Sequence, residues 1–462
     1  CLAKCVAEGV SNCFLIHVDD LLFAGSRDFW ENRFLPAVTS KFNVNFSEIK
    51  DDGSSIFFLK RQLLKVKDGL LIVPGTTTGK IVAYFEKFFG VARHQKIPCD
   101  NSIQNDDKSQ LLNEGDSKAY RSIIGLLLYA ARDRVDVMYC VKELSSFMSC
   151  PTVCALQKMR KLVGYLKATG DMGMKLTLPE FGAGKWKKGG EKFWNVETFT
   201  DADWSAHKAH RKSTSCAVHF INGNFAYASS RTQRVVSLSS AESELHSMIS
   251  GCSDGIFLKR CMQFLTGDQV EQWQWVDNSA ARQLIERQGV GKIRHLSGKI
   301  LWMQTLVLEK QVQVGQIATQ WNVSDIGTKP LSKQRLLILL HQVGACDPET
   351  LDMIGQEEFD RFEERIVGQQ SMKRMTKAIM RMALMWGLEP TFNIGAEATS
   401  TEEVCLQVQA SGSGNENFWL WFAWFGLFIL WIGLATVGYF AWRKVSSDLQ
   451  HCWNQVGDED AY

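Results

Sequence analysis

The chain has 462 residues, enough for about three domains of ordinary size. Hydrophobic residues make up 45% and charged residues 22% of the chain, which excludes global disorder and a fibrous repeat. The 52 Lys and Arg against 50 Asp and Glu give a net charge of +2, which neither requires nor excludes a nucleic-acid partner. The 13 Cys have no zinc-ligand spacing, so a zinc ribbon or a disulfide framework is not expected.

Residues 1–180 alternate short apolar runs with helical stretches. The segment 13–25 predicts a strand, a tight turn and a second strand, and the segment 54–73 predicts two more strands joined at a Lys-Asp-Gly turn. Helices are predicted over 77–91, as a pair within 117–152, and over 153–168 with Gly170 as the stop. The first residue is Cys1 and no signal peptide follows, so we expect a piece of a longer protein.

A Gly- and Lys-rich stretch, 181–195, is predicted to be a linker. Beyond it, residues 196–345 predict the element order βββαβααβα, which is typical of a mixed sheet with helices on its faces. The long first helix is expected to begin after Ser239, with Glu242 three positions later as in a capping box.

The C-terminal part is different in composition. Residues 346–416 are acidic and polar, apart from a helix near 356–386 whose basic end fits either a membrane surface or a spacer packed on its own chain. Residues 418–442 carry no charge, and Trp and Phe crowd both ends, so we predict a transmembrane helix over 417–443. The positive-inside rule then makes the tail 444–462 cytosolic, whereas the alternative is a buried helix of a large core.

Four carboxylates of the 196–345 segment stand at strand ends or helix starts of the predicted sheet. Such a cluster is tolerable only with divalent cations, because like charges at close range resist joint ionisation. Hard oxygen ligands favour Mg²⁺, and two such ions can activate a water and stabilise the leaving oxygen of a phosphodiester. Any single Asp of this kind is more often a cap or a turn. The four are Asp201, Glu244, Asp277 and Asp325.

Five motifs in this segment resemble, in order, the ribonuclease H domain of copia-type (Pseudoviridae) retrotransposon Pol polyproteins: FTDADW, RKSTS, LSSAESEL, VDNSAA and SDIGTKPLS. The resemblance implies a ribonuclease H-like α/β fold and two-metal, Mg²⁺-dependent cleavage of the RNA strand of RNA–DNA hybrids, with Mn²⁺ as a substitute. It also implies that the four carboxylates bind the metal, with Glu242 as the second choice for Glu244 and Asp203 as a structural or outer residue. The chain departs from the family's usual residues at His210, Cys216 (usually Gly), Ser324 (usually Ala) and Gly327 (usually Phe).

The first 180 residues resemble the C-terminal part of a reverse transcriptase, a partial α+β palm and thumb. HVDDLLFAG resembles the catalytic hairpin, which implies Asp19 and Asp20 as a metal-binding pair. The segment from Tyr120 resembles the region downstream of the palm, with Val135 for the usual Pro, and FFLK carries Lys60 for the usual Gly. Only sixteen residues precede the hairpin, so we expect no polymerase activity without the missing upstream segments of the polyprotein.

A set of polar residues is expected to contact the hybrid, although each is equally compatible with a solvated loop. Three hypotheses follow: an active hybrid ribonuclease joined to a truncated reverse transcriptase, a decayed or repurposed element that binds nucleic acid without cutting it, and a membrane-anchored protein with the transposon segment as scaffold. Localisation is expected to be single-pass membrane, or cytoplasmic if the helix is an artefact. The substrate-contacting set is Lys208, Arg211, Lys212, Ser213, Arg294 and His295.

Overall fold

The structure is a computed structural model, and the chain divides into one unit of Cys1–Glu364 and a second of Arg365–Tyr462. Only residues 365–368 of the second unit are described, and they are helical, as are residues 356–364 before them. The described residues are 2–7, 10–74, 76–104, 107–177, 187–188, 191–192, 194–206, 210–290 and 294–368.

The chain begins with a three-stranded antiparallel sheet in the order β1-β2-β3. Its second hairpin turns at Val18 and Asp19, with His17 paired to Asp20, as the sequence predicts. Aromatic side chains from β2, β3 and the following helical segment stack together on this sheet. The elements are β1 (Leu2–Ala7), β2 (Val10–His17), β3 (Asp20–Ala24), α1 (Arg27–Phe29), a π-helical turn (Trp30–Phe34) and α2 (Leu35–Thr39).

A meander of strands and four helices follow. They confirm the helices predicted between 77 and 170 and the turn before Gly69, but the first of the two strands predicted over 54–73 is divided into β4 and β5 by a turn at Leu59 and Lys60, where φ is positive. Gly69 begins β6 directly after the turn from β5. Its lack of a side chain lets a neighbouring strand approach, because a Cβ there would lie 1.9 Å from the carbonyl oxygen of Leu176. The elements are β4 (Ser55–Phe58), β5 (Arg61–Val66), β6 (Gly69–Val73), α3 (Thr77–Phe89), a 3₁₀ turn (Asn101–Gln104), α4 (Glu114–Ala130), α5 (Val135–Ser145), α6 (Val153–Thr169) and β7 (Gly173–Thr177).

The remaining elements confirm the predicted order βββαβααβα, with a small hairpin before it inside the predicted linker. They are β8 (Lys187–Lys188), β9 (Glu191–Lys192), β10 (Trp194–Asp203), β11 (Thr214–Ile221), β12 (Asn224–Thr232), α7 (Ser240–Thr266), β13 (Val270–Val276), α8 (Ser279–Glu286), a 3₁₀ turn (Arg294–Leu296), α9 (Ser297–Leu308), β14 (Gln313–Gln316), two 3₁₀ turns (Thr319–Trp321 and Val323–Gly327), α10 (Lys333–Gln342) and β15 (Ala345–Cys346).

Five of these strands form the predicted mixed sheet, in the order β12-β11-β10-β13-β14. The first three are antiparallel neighbours, whereas β13 and β14 run parallel to β10. Helix α7 crosses the sheet closely, since a Cβ on Gly251 would lie 2.6 Å from Thr200 Cγ2. Ser239 caps α7 by accepting from the backbone N–H of Glu242, as predicted. The C-terminal ends of β10 and β13 therefore meet beside the start of α7.

The two faces of this sheet are covered by different parts of the chain. One face packs on α7, α8 and α9, around Leu245, Val276 and Ile300. The other face shares a single hydrophobic core with helices α3 to α6, in which residues such as Leu127 and Leu162 join Val218 and Ile326. Strand β15 also pairs with β7, so the second sheet has the order β15-β7-β6-β5-β4. The core is thus continuous across the predicted linker.

The transmembrane part of the predicted fold class is wrong. In the part of the chain that the structure describes, no helix combines the length and the apolar character needed to cross a bilayer. The longest described helix, α7, has 27 residues, but it carries five charged side chains, the first two being Glu242 and Glu244. The predicted span 417–443 and tail 444–462 lie outside the described residues. The transmembrane helix, the membrane partner at 418–442 and the single-pass localisation are therefore not retained.

Candidate metal centre

Three of the four predicted carboxylates come together at one edge of the mixed sheet. Asp201 lies near the end of β10, Asp277 directly follows β13, and Glu244 is the fifth residue of α7. Because β10 and β13 are parallel neighbours, their carboxyl ends emerge side by side. One oxygen of each carboxylate lies within 4.8 Å of the other two. We call this group the three-carboxylate cluster.

Burial makes ionisation of this cluster costly. Asp201 and Glu244 are each only 6% exposed. Burial, with the negative charges of Asp325 and Asp277, outweighs nearby Lys329 and raises the pKa of Asp201 from 3.8 to about 6. Burial and the charges of Asp201 and Asp277 raise the pKa of Glu244 well above its usual range. The cluster would be more stable with a bound cation.

The oxygens of the cluster fit a hard divalent cation. Glu244 Oε2 is buried and has no hydrogen-bond partner among the residues that the structure describes. All the donors are carboxylate oxygens, which Mg²⁺ and Mn²⁺ prefer over nitrogen or sulfur ligands. With a buried, unpaired oxygen beside two other carboxylates, this cluster could hold such a cation.

Asp325 lies next to this cluster, but protein cations already neutralise it. It sits in the 3₁₀ turn that follows β14 and is 5% exposed. Lys329 Nζ lies 2.6 Å from Asp325 Oδ1, and Arg335 Nη2 lies 3.1 Å from Asp325 Oδ2. Lys329 Nζ also lies 3.9 Å from Asp201 Oδ2, which accepts a 2.5 Å hydrogen bond from the hydroxyl of Thr328. Asp325 is therefore joined to the cluster through Lys329.

The ammonium of Lys329 remains charged in this position. Burial opposes the charge, but the carboxylates of Asp201 and Asp325 outweigh it and raise the pKa of Lys329. Sequence interpretation missed Lys329, Thr328 and Arg335, although the first two lie within the motif SDIGTKPLS. The signal was an i,i+4 acid–lysine pair, which on a sequence looks like an ordinary surface pair.

Glu242, the second choice, lies away from the cluster. Its Oε2 accepts a 3.0 Å hydrogen bond from the backbone N–H of Leu238, which precedes the helix. Its Oε1 lies 3.1 Å from Nε2 of His295 and 3.9 Å from Nε2 of His246. These residues line a cavity of about 480 Å³ beside the start of α7. The geometry therefore brings Glu244, and not Glu242, to Asp201 and Asp277.

The predicted reverse transcriptase pair is not joined by a third potential metal ligand among the described residues. Asp19 forms the turn of the β2–β3 hairpin and Asp20 begins β3, and both side chains are exposed. Among the described residues, the three-carboxylate cluster is the one group of three or more potential metal ligands.

The predicted substrate residues have different surroundings. Arg211 is exposed and has a left-handed backbone, with φ of 56°, and the backbone N–H of Lys212 donates to Nδ1 of His210. Ser213 is fully buried, and its Oγ accepts a 3.0 Å hydrogen bond from the backbone N–H of Ser205. That hydroxyl holds a turn rather than facing a ligand.

The other three residues of the predicted set lie elsewhere. His295 has a half-exposed side chain and pairs with Glu242, and the backbone of Arg294 begins the 3₁₀ turn before α9. Lys208 lies outside the described residues.

Two of the departures from the family pattern compensate each other. A Cβ on Gly327 would lie 2.5 Å from Sγ of Cys216 and 2.9 Å from Cε of Met138. The larger side chain at 216 thus fills space that a smaller residue at 327 leaves. Ser324 is also accommodated, since its Oγ donates to Oδ1 of Asn322, whose amide donates to the backbone of β10 at Thr200. These departures leave the carboxylates in place.

Comparison with known proteins finds relatives among retrotransposon Pol polyproteins. No protein-family model matches the chain. The retrovirus-related Pol polyprotein from transposon RE1 of Arabidopsis thaliana is 24% identical over 335 residues, covering 71% of this chain and 21% of that protein. The one from transposon TNT 1-94 of Nicotiana tabacum is 26% identical over 353 residues, covering 71% and 24%. These relatives are copia-type retrotransposon Pol polyproteins, the family that the sequence motifs resemble.

The chain spans between a fifth and a quarter of the length of these curated relatives. Among solved structures, LC11-RNase H1 in complex with an RNA/DNA hybrid is 17% identical, covering 28% of this chain and 88% of that chain with a TM-score of 0.21.

Proposed function

We propose that this copia-type Pol fragment cleaves the RNA strand of RNA–DNA hybrids in a divalent-metal-dependent reaction at the three-carboxylate cluster. The carrying observation is that Asp201, Glu244 and Asp277 converge at the carboxyl edge of the mixed sheet, with a buried, unpaired oxygen on Glu244. Motif order and family membership support the same assignment.

In this proposal, each residue of the centre has a defined task. Asp201, Glu244 and Asp277 hold the metal, and Asp325 is the fourth ligand once one of its two cations is exchanged. When bound, two Mg²⁺ ions would activate a water and stabilise the leaving oxygen. The hydroxyl of Thr328 fixes the orientation of the Asp201 carboxylate by donating to Oδ2.

The hybrid would be held by charge and by shape. The exposed guanidinium of Arg211 and the side chains of Lys212 and Lys208 are proposed to neutralise phosphates. Arg294 and His295, the second of which pairs with Glu242 near the start of α7, are also proposed to contact the hybrid. Discrimination between RNA and DNA would rest on the 2′-hydroxyl in a shallow minor groove. Ser213 is excluded from this surface because it is buried.

Polymerisation is not part of the proposal for this fragment alone. The exposed pair Asp19 and Asp20 would need a further carboxylate and the nucleotide-binding parts of a reverse transcriptase from the upstream polyprotein. We propose those segments as partners of the N-terminal region.

A second candidate, a decayed element that binds nucleic acid without cutting it, is favoured by one observation. Lys60, which stands where the family usually has Gly, has a φ of 63°, a conformation in which a side chain is strained. The close packing of Cys216 against Gly327 instead favours an active enzyme, because it keeps the site packed.

The full chain, offered a labelled RNA–DNA hybrid with Mg²⁺, tests the proposal. We expect cleavage of the RNA strand that is abolished by a chelator and reduced by at least ~100-fold in Glu244→Gln. Glu242→Gln is the matched control, because it makes the same change two positions away and should keep the activity within a few-fold. Binding without cleavage by the folded wild-type chain would favour the decayed element.

A further inference from the structure

We propose that Lys329 is a built-in cation that occupies the position between Asp201 and Asp325 and limits the nuclease centre to one metal ion until nucleic acid is bound. The proposal rests on the proposed function, because it concerns the loading of the same centre. It assigns a positioning role to a side chain that sequence interpretation left without one.

The position of the ammonium excludes an ion at the same place. Lys329 Nζ lies 2.6 Å from Asp325 Oδ1 and 3.9 Å from Asp201 Oδ2. Mg²⁺ that bridged these two carboxylates would need an oxygen of each at about 2.0–2.1 Å. An ammonium in contact with one oxygen and close to the other therefore competes with the ion directly.

The remaining oxygens of the centre leave room for one ion. Lys329 and Arg335 neutralise the charge of Asp325, so this carboxylate needs no metal ion for neutralisation. The oxygens of Asp201, Glu244 and Asp277 that lie within 4.8 Å of one another form the other position. Glu244 Oε2, which lacks a partner in the described part of the chain, belongs to this position. Protein cations therefore leave the oxygens of one position unpaired, whereas lysine occupies the other.

Of the two cations on Asp325, Lys329 is the one that can leave. Arg335 is anchored by the backbone, since its Nη1 donates to the carbonyl of Gln320 at 2.6 Å and its Nη2 lies 3.4 Å from the carbonyl of Asn322. Lys329 is 40% exposed and has a flexible four-carbon stem. A phosphate of a bound hybrid would attract its ammonium away from the carboxylates. The second position would then open only with substrate present.

Ion binding by the full chain, free of nucleic acid, tests the loading. Mn²⁺ is titrated into chelator-treated protein, and bound ions are counted by electron paramagnetic resonance. We expect the wild type to bind one ion tightly and a second ion only weakly. In Lys329→Gln, the second ion should bind roughly tenfold or more tightly than it does in the wild type. Lys329→Arg, which keeps the charge, and Lys333→Gln, which removes an exposed lysine on the next helix, should resemble the wild type.

The release of Lys329 to a phosphate is measured separately. Hybrid binding is followed in chelator at several salt concentrations. Lys329→Gln should weaken the salt dependence, reducing the magnitude of the negative slope of log affinity against log salt by about 0.9. Lys333→Gln should leave this slope unchanged. An unchanged slope in Lys329→Gln would overturn the phosphate step.

The outcomes separate this inference from the proposed function. Two ions of similar affinity in the wild type, or an unchanged count in Lys329→Gln with native circular dichroism, would overturn the inference. No bound ion in the folded wild type would overturn both it and the proposed metal centre. The expected ion counts without hybrid cleavage would contradict the ribonuclease alone.

Discussion

Replacing Asp201 by Asn should abolish cleavage and, at the same time, stabilise the metal-free protein. The carboxylate is 6% exposed, and its pKa is raised from 3.8 to about 6, first by burial and then by neighbouring charges. A pKa raised by that amount corresponds to about 3 kcal/mol of stability lost on ionisation. The contribution of the protonated Asp201 carboxyl to the free energy of unfolding is fully present below the unfolded pKa of 3.8. It is lost as the pH rises through the folded pKa of about 6. Asn keeps the size and an acceptor for Thr328 but has no charge.

The assay is thermal or urea unfolding of the full chain in chelator at pH 8 and at pH 4. We expect Asp201→Asn to be more stable than the wild type by about 1 to 3 kcal/mol at pH 8, and the difference to shrink at pH 4. Adding Mg²⁺ should stabilise the wild type more than the variant, because the ion binds only the folded state.

The control is Glu309→Gln, which removes an exposed carboxylate and should change little. A variant less stable than the wild type at pH 8 in chelator would refute the conclusion that the cluster is destabilising without a cation.

Three further predictions concern the fold. Burial, with a contribution from Arg231, lowers the pKa of His219 from 6.5 to about 4. The free energy of unfolding should therefore fall by up to about 3 kcal/mol as the pH drops from 6.5 to 4. Urea unfolding midpoints measured over this range should fall less in His219→Gln than in the wild type. Lys60→Gly should raise the free energy of unfolding by about 1 kcal/mol, because φ is 63° there, and a lower value would contradict strain at this turn. Residues 190–345 produced alone should show no cooperative melt, in contrast to 1–364, because helices α3 to α6 cover one face of their sheet.

Much of the fold could be predicted from local patterns. Apolar alternation and turn residues located the hairpin at Asp19, and the capping pattern at Ser239 located the start of α7. The register of the family motif favoured Glu244 over Glu242, and the geometry brings Glu244 to the other carboxylates. Each of these inferences depends on residues close together in the chain.

The rest depends on contacts between distant segments. An apolar helix face such as that of α4 predicts burial, but it does not say that the partner is the sheet beyond the linker. The neutralisation of Asp325 by Arg335 needs the turn between them. The burial of Ser213, whose hydroxyl accepts from the backbone N–H of Ser205, likewise depends on how the chain folds around it. The transmembrane prediction depends on an uncharged run of spanning length with aromatic ends, and the helices that the structure describes do not support it.

The contact between Cys216 and Gly327 makes the side chains tolerated at these two positions depend on each other. A bulky residue at 327 together with Cys216 would overlap, because even a Cβ at 327 lies 2.5 Å from the sulfur. Gly at both positions would only leave a void, which is a milder defect. A larger residue at 327 therefore requires a smaller one at 216, so an engineered change at one position has to be matched at the other.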